Sequence, residues 1–258
     1  MLKFRLKLFD HLRSSVSARI MSSSNLVEKG KETAAFAAVD KHVEDGMILG
    51  IGSGSTIVYA VTRLAERVRK EGLKIVCIPT SFQAQQLIVT NNLTLGSLDT
   101  TPELDCAIDG ADEVDDKLTL IKGGGGCQTQ EKIVASCARK LVIVADSTKN
   151  STSLGQQYKK IPVEVIPLAY NPILQRITQQ FGGTAELRMG KMKAGPIVSD
   201  NGNFIVDWFF PTGIEDWKTV NERIKMMPGV VETGLFVDMA QIAYFGGPDG
   251  SLSVKLAS

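Results

Sequence analysis

The chain predicts an α/β fold, a doubly wound and mostly parallel sheet with a smaller α+β unit attached. Three observations carry that expectation. From Thr33 to Lys149, short apolar runs alternate with segments of 3.6-residue period, the pattern left by a parallel sheet covered on both faces. A turn rich in glycine and hydroxyls, Gly50 to Thr56, joins the first apolar run to an amphipathic segment. After Lys149 the order of elements changes and a strong hairpin signal, Asn201-Gly202, appears. With 258 residues, 43% of them hydrophobic, the chain can fill one large core or two smaller ones.

Met47 to Ile51 reads as the first strand. Ile57, Val58, Val61, Leu64, Ala65 and Val68 then fall on one face of a helix. Ile75 to Ile78, Leu104 to Ile108 and Leu141 to Ala145 are further strands, with helices over Phe82 to Val89 and Gln130 to Arg139 between them. Through residue 149 this is a Rossmann-like arrangement. Beyond it come a strand over Pro162 to Ile166, a helix over Pro172 to Phe181 stopped by Gly182-Gly183, and a strand over Ala185 to Met189. Pro196 to Ser199 and Phe204 to Trp208 read as two strands flanking the Asn201-Gly202 turn. Trp217 to Met226 is helical up to Pro228-Gly229, and Val230 to Phe236 returns as a strand. That order is close to a split β-α-β, ferredoxin-like module. Ile242 to Phe245 and Leu252 to Leu256, joined by the turn from Gly246 to Gly250, are expected to rejoin the main sheet or cover its edge. The expected division is a disordered N-terminal extension over 1–24, a catalytic unit over 25–152 and 237–258, and a small unit over 153–236.

Net charge is +1, from 29 basic and 28 acidic residues, so the basic field of a non-specific nucleic-acid binder is missing and a small-molecule partner is favoured. Cys77, Cys106, Cys127 and Cys137 form neither a C-x-x-C pair nor a zinc pattern, and His11 and His42 are the only histidines. Reduced thiols and no metal are expected. No run approaches the roughly 18 apolar residues of a membrane span. Residues 1–24 carry Lys3, Arg5, Lys7, Arg13 and Arg19 against Asp10 alone, a composition that overlaps with mitochondrial presequences. A plain extension ahead of a cytoplasmic protein is the favoured reading.

The richest stretch runs from Asp109 to Glu131: Asp109-Gly110-Ala111-Asp112-Glu113, Lys122, four glycines from Gly123 to Gly126, then Thr129-Gln130-Glu131. Charges are costly to bury and glycines add entropy to the unfolded chain, so a core would not select this composition; a site would. Asp109 and Asp112 follow an apolar run and belong just past the carboxyl end of a strand, where open sheets bind ligands, although a solvated turn would use the same residues. Glu131 falls in the first turn of a helix, where a helix-dipole interaction worth about 0.3–1 kcal/mol is its ordinary explanation. Gly52-Ser53-Gly54-Ser55-Thr56 is compatible with a phosphate cradle at a helix N-terminus and equally with a tight turn capped by serine. Its spacing matches neither a dinucleotide fingerprint nor a Walker A loop. Pro79-Thr80-Ser81 reads as a cap for the next helix, and Cys127 as a passive small residue rather than a redox site. Hydroxyls, paired carboxylates, one lysine and one glutamate, with no cofactor fingerprint, suit acid–base chemistry on a sugar phosphate, where one base moves a proton and a cation steadies the enediolate oxygen. No cofactor is required.

These motifs, with Ile121-Lys122-Gly123-Gly124-Gly125, Ala145-Asp146-Ser147-Thr148-Lys149, Pro162-Val163-Glu164 and Asp200-Asn201-Gly202-Asn203 in the same order, resemble the type A ribose-5-phosphate isomerases over roughly residues 26 to 256. The resemblance implies interconversion of D-ribose 5-phosphate and D-ribulose 5-phosphate, and a homodimer or tetramer. By motif, Glu131 matches the general base and Lys122 the group that steadies the oxyanion. Asp109 and Asp112 match carboxylates that bind sugar hydroxyls and assist ring opening. Ser53, Gly54, Ser55 and Thr56 match the substrate-binding loop, Gly110, Ala111, Gly123, Gly124 and Gly125 line the same substrate site, and Lys149 matches a lysine near the phosphate. One departure is visible: some relatives carry a phosphate-contacting lysine in the first helix where this chain has Glu32, leaving Lys29 and Lys31 as replacements. The rivals are a sugar-phosphate sensor, an acyl-CoA-transferase relative using Glu131 as nucleophile, and a dehydrogenase, the last of which fails on the glycine spacing.

Overall fold

A computed structural model describes residues 25–257, so the expectations for residues 1–24 lie outside the described residues. Helix α1 spans 25–42 and is followed by β1 (Ile48–Ile51), α2 (Ser55–Glu71), β2 (Val76–Pro79), α3 (Phe82–Thr90) and β3 (Cys106–Asp109). Next come β4 (Glu113–Val114), β5 (Leu120–Ile121), α4 (Gln128–Cys137) and β6 (Leu141–Asp146). The last two strands of the chain, β12 (Ile242–Gly246) and β13 (Leu252–Leu256), return to the same sheet, whose order is β13-β12-β6-β3-β1-β2. All its pairings are parallel except β12 with β13. From β1 the chain steps first to β2 on one side and then to β3 on the other, so the crevice at the carboxyl ends of β1 and β3 is the topological switch point, where such sheets bind ligands.

Burial on both faces explains the apolar runs. In β6, Val142 and Val144 pack with Leu49, Ile57, Val61 and Leu64 and the alanines of α1, while Ile143 and Ala145 pack on the opposite face with Ala135, Phe236 and Phe245. Such strands carry no alternation to read, only hydrophobicity. Helix α2 stops at Gly72, which takes a left-handed conformation and returns its N–H to the Val68 carbonyl.

The second unit comprises β7 (Ile161–Val165), α5 (Tyr170–Phe181), β8 (Thr184–Leu187), β9 (Phe204–Phe209), α6 (Trp217–Lys225) and β10 (Val230–Thr233). Its sheet order is β10-β7-β9-β8, antiparallel throughout, which is the expected pair of split β-α-β crossings. Val163, Ile173, Ile177, Val206, Trp208, Trp217 and Ile224 form its separate core.

Two expectations fail. Pro196 to Ser199 is not a strand: it makes one isolated bridge, Met189 to Pro196, and β9 pairs with β8 and β7 instead. The Asn201-Gly202 turn exists, closed by Ser199 N–H to the Asn203 carbonyl at 2.8 Å, but the side chains of Ser199, Asn201 and Asn203 all donate to Glu164. Polar side chains that bond locally compete with a ladder, and here they win. The strand expected over Val230 to Phe236 is broken at Gly234. Its second half, β11 (Leu235–Phe236), joins β5 and β4 in a three-stranded sheet that the sequence did not reveal. A Cβ on Gly234 would lie 2.2 Å from the Lys122 carbonyl oxygen, so the two backbones cross where only glycine fits.

Candidate active site

Gly52 follows β1 and Asp109 ends β3, side by side at the switch point. A Cβ at Gly52 would fall 2.0 Å from Asp109 Oδ1, so its absence lets the carboxylate lie against the turn. Asp109 Oδ1 accepts from the N–H groups of Ser53 (3.1 Å) and Gly110 (2.7 Å), and Oδ2 lies 3.1 Å from Lys122 Nζ. Lys122 directly follows β5, and its backbone N–H is fixed to the Gly234 carbonyl at 2.8 Å, so the three-stranded sheet aims it. Its ammonium also donates to the Gly110 carbonyl and lies 3.3 Å from Glu131 Oε1. Glu131, in the first turn of α4, offers its second oxygen, Oε2, buried and without a hydrogen-bond partner.

Asp109, Glu131 and Lys122 are all buried, two acidic side chains against one basic one. Burial, and then the Asp109 charge, push the Glu131 carboxyl up to about 8 against the opposing pull of Lys122. Burial pulls Lys122 down, but Asp109 and Glu131 outweigh it and hold the ammonium at about 12. A proton acceptor near neutrality therefore sits beside a permanent cation. Asp112 is raised by burial and accepts from the Gly124 N–H at 2.7 Å.

These groups open on a cavity of about 640 Å³. Residues 53–56, 110–112 and 122–125, with Glu131 and Lys149, line it, which brings together every expected site residue except Asp109. Asp109 lies behind Lys122 with both oxygens engaged. At the end formed by α2, the helix begins at Gly54 with no side-chain cap, so the first N–H groups of the helix are available to an anion. The expected serine cap is absent because the cap position falls on Gly54, which has no side chain, while Ser53 Oγ bonds Thr80 Oγ1 (2.9 Å) and Ser81 Oγ (2.6 Å). Ser81 caps α3 as expected, accepting from the Ala84 N–H at 3.0 Å. Lys149 lies in a short turn capped by Asp146. Of the two lysines offered in place of Glu32, Lys31 lines the cavity whereas Lys29 donates to the Asp249 carbonyl. Cys127 also lines it, and burial pushes its thiol up to about 12, which suits the passive reading.

Sequence reasoning missed Gln83, whose side chain accepts from the Gly54 N–H at 2.9 Å, and Asp200, which lines the cavity and accepts from the Phe82 N–H at 2.8 Å. Asp200 opens the Asp200-Asn201-Gly202-Asn203 stretch, whose sequence signals only a turn. Among the described residues, no cluster of three or more His, Cys, Asp or Glu side chains is placed to hold a metal.

The family model for ribose 5-phosphate isomerase A (phosphoriboisomerase A) matches residues 76–250. The chain belongs to this family. The human ribose-5-phosphate isomerase is 57% identical over 235 residues, 91% of this chain and 75% of the human one. The Dictyostelium discoideum ribose-5-phosphate isomerase is 57% identical over 228 residues, 87% of this chain and 97% of that one. Among solved structures, the ribose 5-phosphate isomerase A of Methanocaldococcus jannaschii superposes with a TM-score of 0.82 at 41% identity, covering 88% of this chain and 97% of that chain. A D-ribose-5-phosphate isomerase solved in complex with phospho-erythronic acid gives 0.85 at 40% identity, covering 89% and 99%. The enzyme is an aldose–ketose isomerase that interconverts D-ribose 5-phosphate and D-ribulose 5-phosphate, a step of the non-oxidative pentose phosphate pathway. The sensor and acyl-CoA-transferase alternatives are not favoured.

Proposed function

We propose that Glu131 is the base of this isomerisation and that the cavity holds the ring-opened sugar with its phosphate at the N-terminus of α2. The observation that carries this reading is the buried, unpartnered Oε2 of a glutamate whose other oxygen is held by Lys122. The carboxylate removes the proton from C2 of the aldose, and the electrons of that C–H bond pass into a C1–C2 enediolate with its negative charge on O1. Lys122, charged throughout, stabilises that oxygen. The protonated Glu131 then returns the proton to C1 while the O2 proton passes to O1, which leaves the ketose. Asp112 binds sugar hydroxyls and assists ring opening, and Asp109 does its work through Lys122, holding the ammonium between two carboxylates.

The phosphate, carrying about −1.5 to −2 charges, would be met by the N–H groups of Ser55 and Thr56, the hydroxyls of both, Lys149 and Lys31. The cluster around Leu49, Ile57 and Val142 and the cluster around Val163, Val206 and Trp208 share no residue, which supports the division into a catalytic unit over 25–152 and 237–258 and a small unit over 153–236. Leu252, Val254 and Leu256, exposed at alternate positions of edge strand β13, support association into a homodimer. Four unpaired thiols support a reducing, cytoplasmic setting. The test is direct: chelator-treated protein given D-ribose 5-phosphate should form ketopentose, and no ketopentose would overturn the reading.

A further inference from the structure

Arg188, one residue beyond β8, belongs to the antiparallel unit but reaches into the glycine run of the catalytic cavity. Its Nε donates to Asp207 Oδ2 at 2.8 Å and its Nη2 to Asp207 Oδ1, a two-pronged fork on a carboxylate that is almost fully buried. The remaining nitrogen, Nη1, donates to the carbonyls of Gly123 (2.9 Å) and Gly124 (3.2 Å). The guanidinium is rigid and planar, so anchoring one edge on Asp207 sets where the other edge can hold those two carbonyls.

Peptide planarity carries the effect across the backbone. In a trans peptide the C=O of one residue and the N–H of the next point in opposite directions. With the Gly123 carbonyl on Arg188, the Gly124 N–H points the other way and meets Asp112 at 2.7 Å. The Gly124 carbonyl is held in the same manner, so the Gly125 N–H is also turned from Arg188. Gly125 lines the cavity, and its N–H has no protein partner among the described residues.

We propose that Arg188 is a positioning residue for the isomerisation: by gripping the carbonyls of Gly123 and Gly124 it turns the N–H of Gly125 into the cavity, where it donates to an oxygen at the reacting end of the sugar. This rests on the cavity being the isomerase site. The turn is closed by the Gly126 N–H on the Gly123 carbonyl at 3.0 Å, but that bond leaves the Gly124–Gly125 peptide between them without a hydrogen bond of its own inside the turn, and with glycine on both sides the clamp on the Gly124 carbonyl supplies its orientation from the other sheet.

Arg188→Lys and Arg188→Met are the variants to make. Lys160 Nζ, 2.7 Å from Asp207 Oδ2, keeps that carboxylate partnered in both. A lysine supplies charge but cannot grip Asp207 and two carbonyls as a fork. Both variants should lose about ten- to a hundredfold in kcat with KM within about threefold, since a donor used in the transition state is misdirected. Methylguanidinium added to Arg188→Ala should restore part of that loss. In the wild-type enzyme, the Gly125 amide proton should move downfield when D-ribose 5-phosphate is added, and more than that of Gly124. Folded Arg188→Lys with kcat within twofold of wild type, a loss confined to KM, or an unmoved Gly125 amide would each overturn the proposal. Glu131→Gln assayed in parallel separates the failures: an active Glu131→Gln enzyme removes the site reading itself, whereas an inactive one beside a normal Arg188→Lys enzyme removes the clamp alone.

Discussion

Lys122 Nζ lies 3.3 Å from Glu131 Oε1 in a pocket where both side chains are almost wholly buried, and the second oxygen of the glutamate has no partner. With Asp109 at 3.1 Å on the other side, one lysine faces two carboxyl groups, and the crowding raises the proton affinity of Glu131.

Glu131→Gln should therefore trade activity for stability. A positioned base is worth about 10²–10⁴-fold, and kcat should fall by at least that much. The native carboxyl, raised to about 8 from about 4.3 in the unfolded chain, binds an extra proton between those values. Folding stability from this group is complete below the lower value and is lost as pH rises through the upper one. Melting curves at pH 5 and pH 8 should show the variant gaining on wild type at pH 8. An equal loss of melting temperature at both would contradict the charge argument.

The pH profile of kcat/KM follows from the same two groups. A base at Glu131 acts only when ionised, so the proposal predicts an acid limb that falls with unit slope below a midpoint near 8, far above ordinary carboxylates. Lys122, held at about 12, should contribute no alkaline limb in the accessible range. A limb centred near 4 would show that a solvated carboxylate does the work.

Removing Lys122 leaves two buried carboxylates facing each other. Lys122→Met should cost about 3–5 kcal/mol of folding stability by urea titration and about 3 kcal/mol of transition-state stabilisation. The acid limb should also move to higher pH, because the counter-charge is gone. A change seen only in KM would make Lys122 a ground-state binder.

Gly52→Ala tests the geometry without touching a charge. The new methyl would overlap Asp109 Oδ1, and displacing it should cost about 1–3 kcal/mol of stability together with most of the turnover. Unchanged activity in that variant would mean that Asp109 need not lie against the β1 turn.

Glu164 is buried and accepts from the Thr129 hydroxyl (2.6 Å), the Ser199 hydroxyl (2.8 Å) and the amides of Asn201 and Asn203. Glu164→Ala strands four donors and should cost about 3 kcal/mol, with limited proteolysis first appearing in residues 199–203. Wild-type protease resistance there would show that the loop is held by something else.

Much of this was legible beforehand, for identifiable reasons. The strands Ile48–Ile51 and Leu141–Asp146 are buried on both faces, so hydrophobicity alone marks them, and the cavity's carboxylates follow at strand or helix ends, where the fold directs ligands. Strands Glu113–Val114 and Leu120–Ile121 are two residues each, too short for any period to register, so the sheet that aims Lys122 was invisible. Pro196 to Ser199 misled because its apolar residues suggested a hairpin arm while its serine answers to Glu164, distant in sequence. Lys31 and Arg188 reach the site from separate parts of the chain, and nothing local to either distinguishes it from a surface cation.

Solvent-isotope incorporation tests the role of Glu131 most directly. In deuterated water, the wild-type enzyme should convert D-ribose 5-phosphate to D-ribulose 5-phosphate carrying deuterium at C1, because the proton held by Glu131 exchanges in part before it is returned. Folded Glu131→Gln should neither isomerise the sugar nor exchange its C2 hydrogen. Deuterium entering at a rate close to wild type in that variant would mean that another group removes the proton.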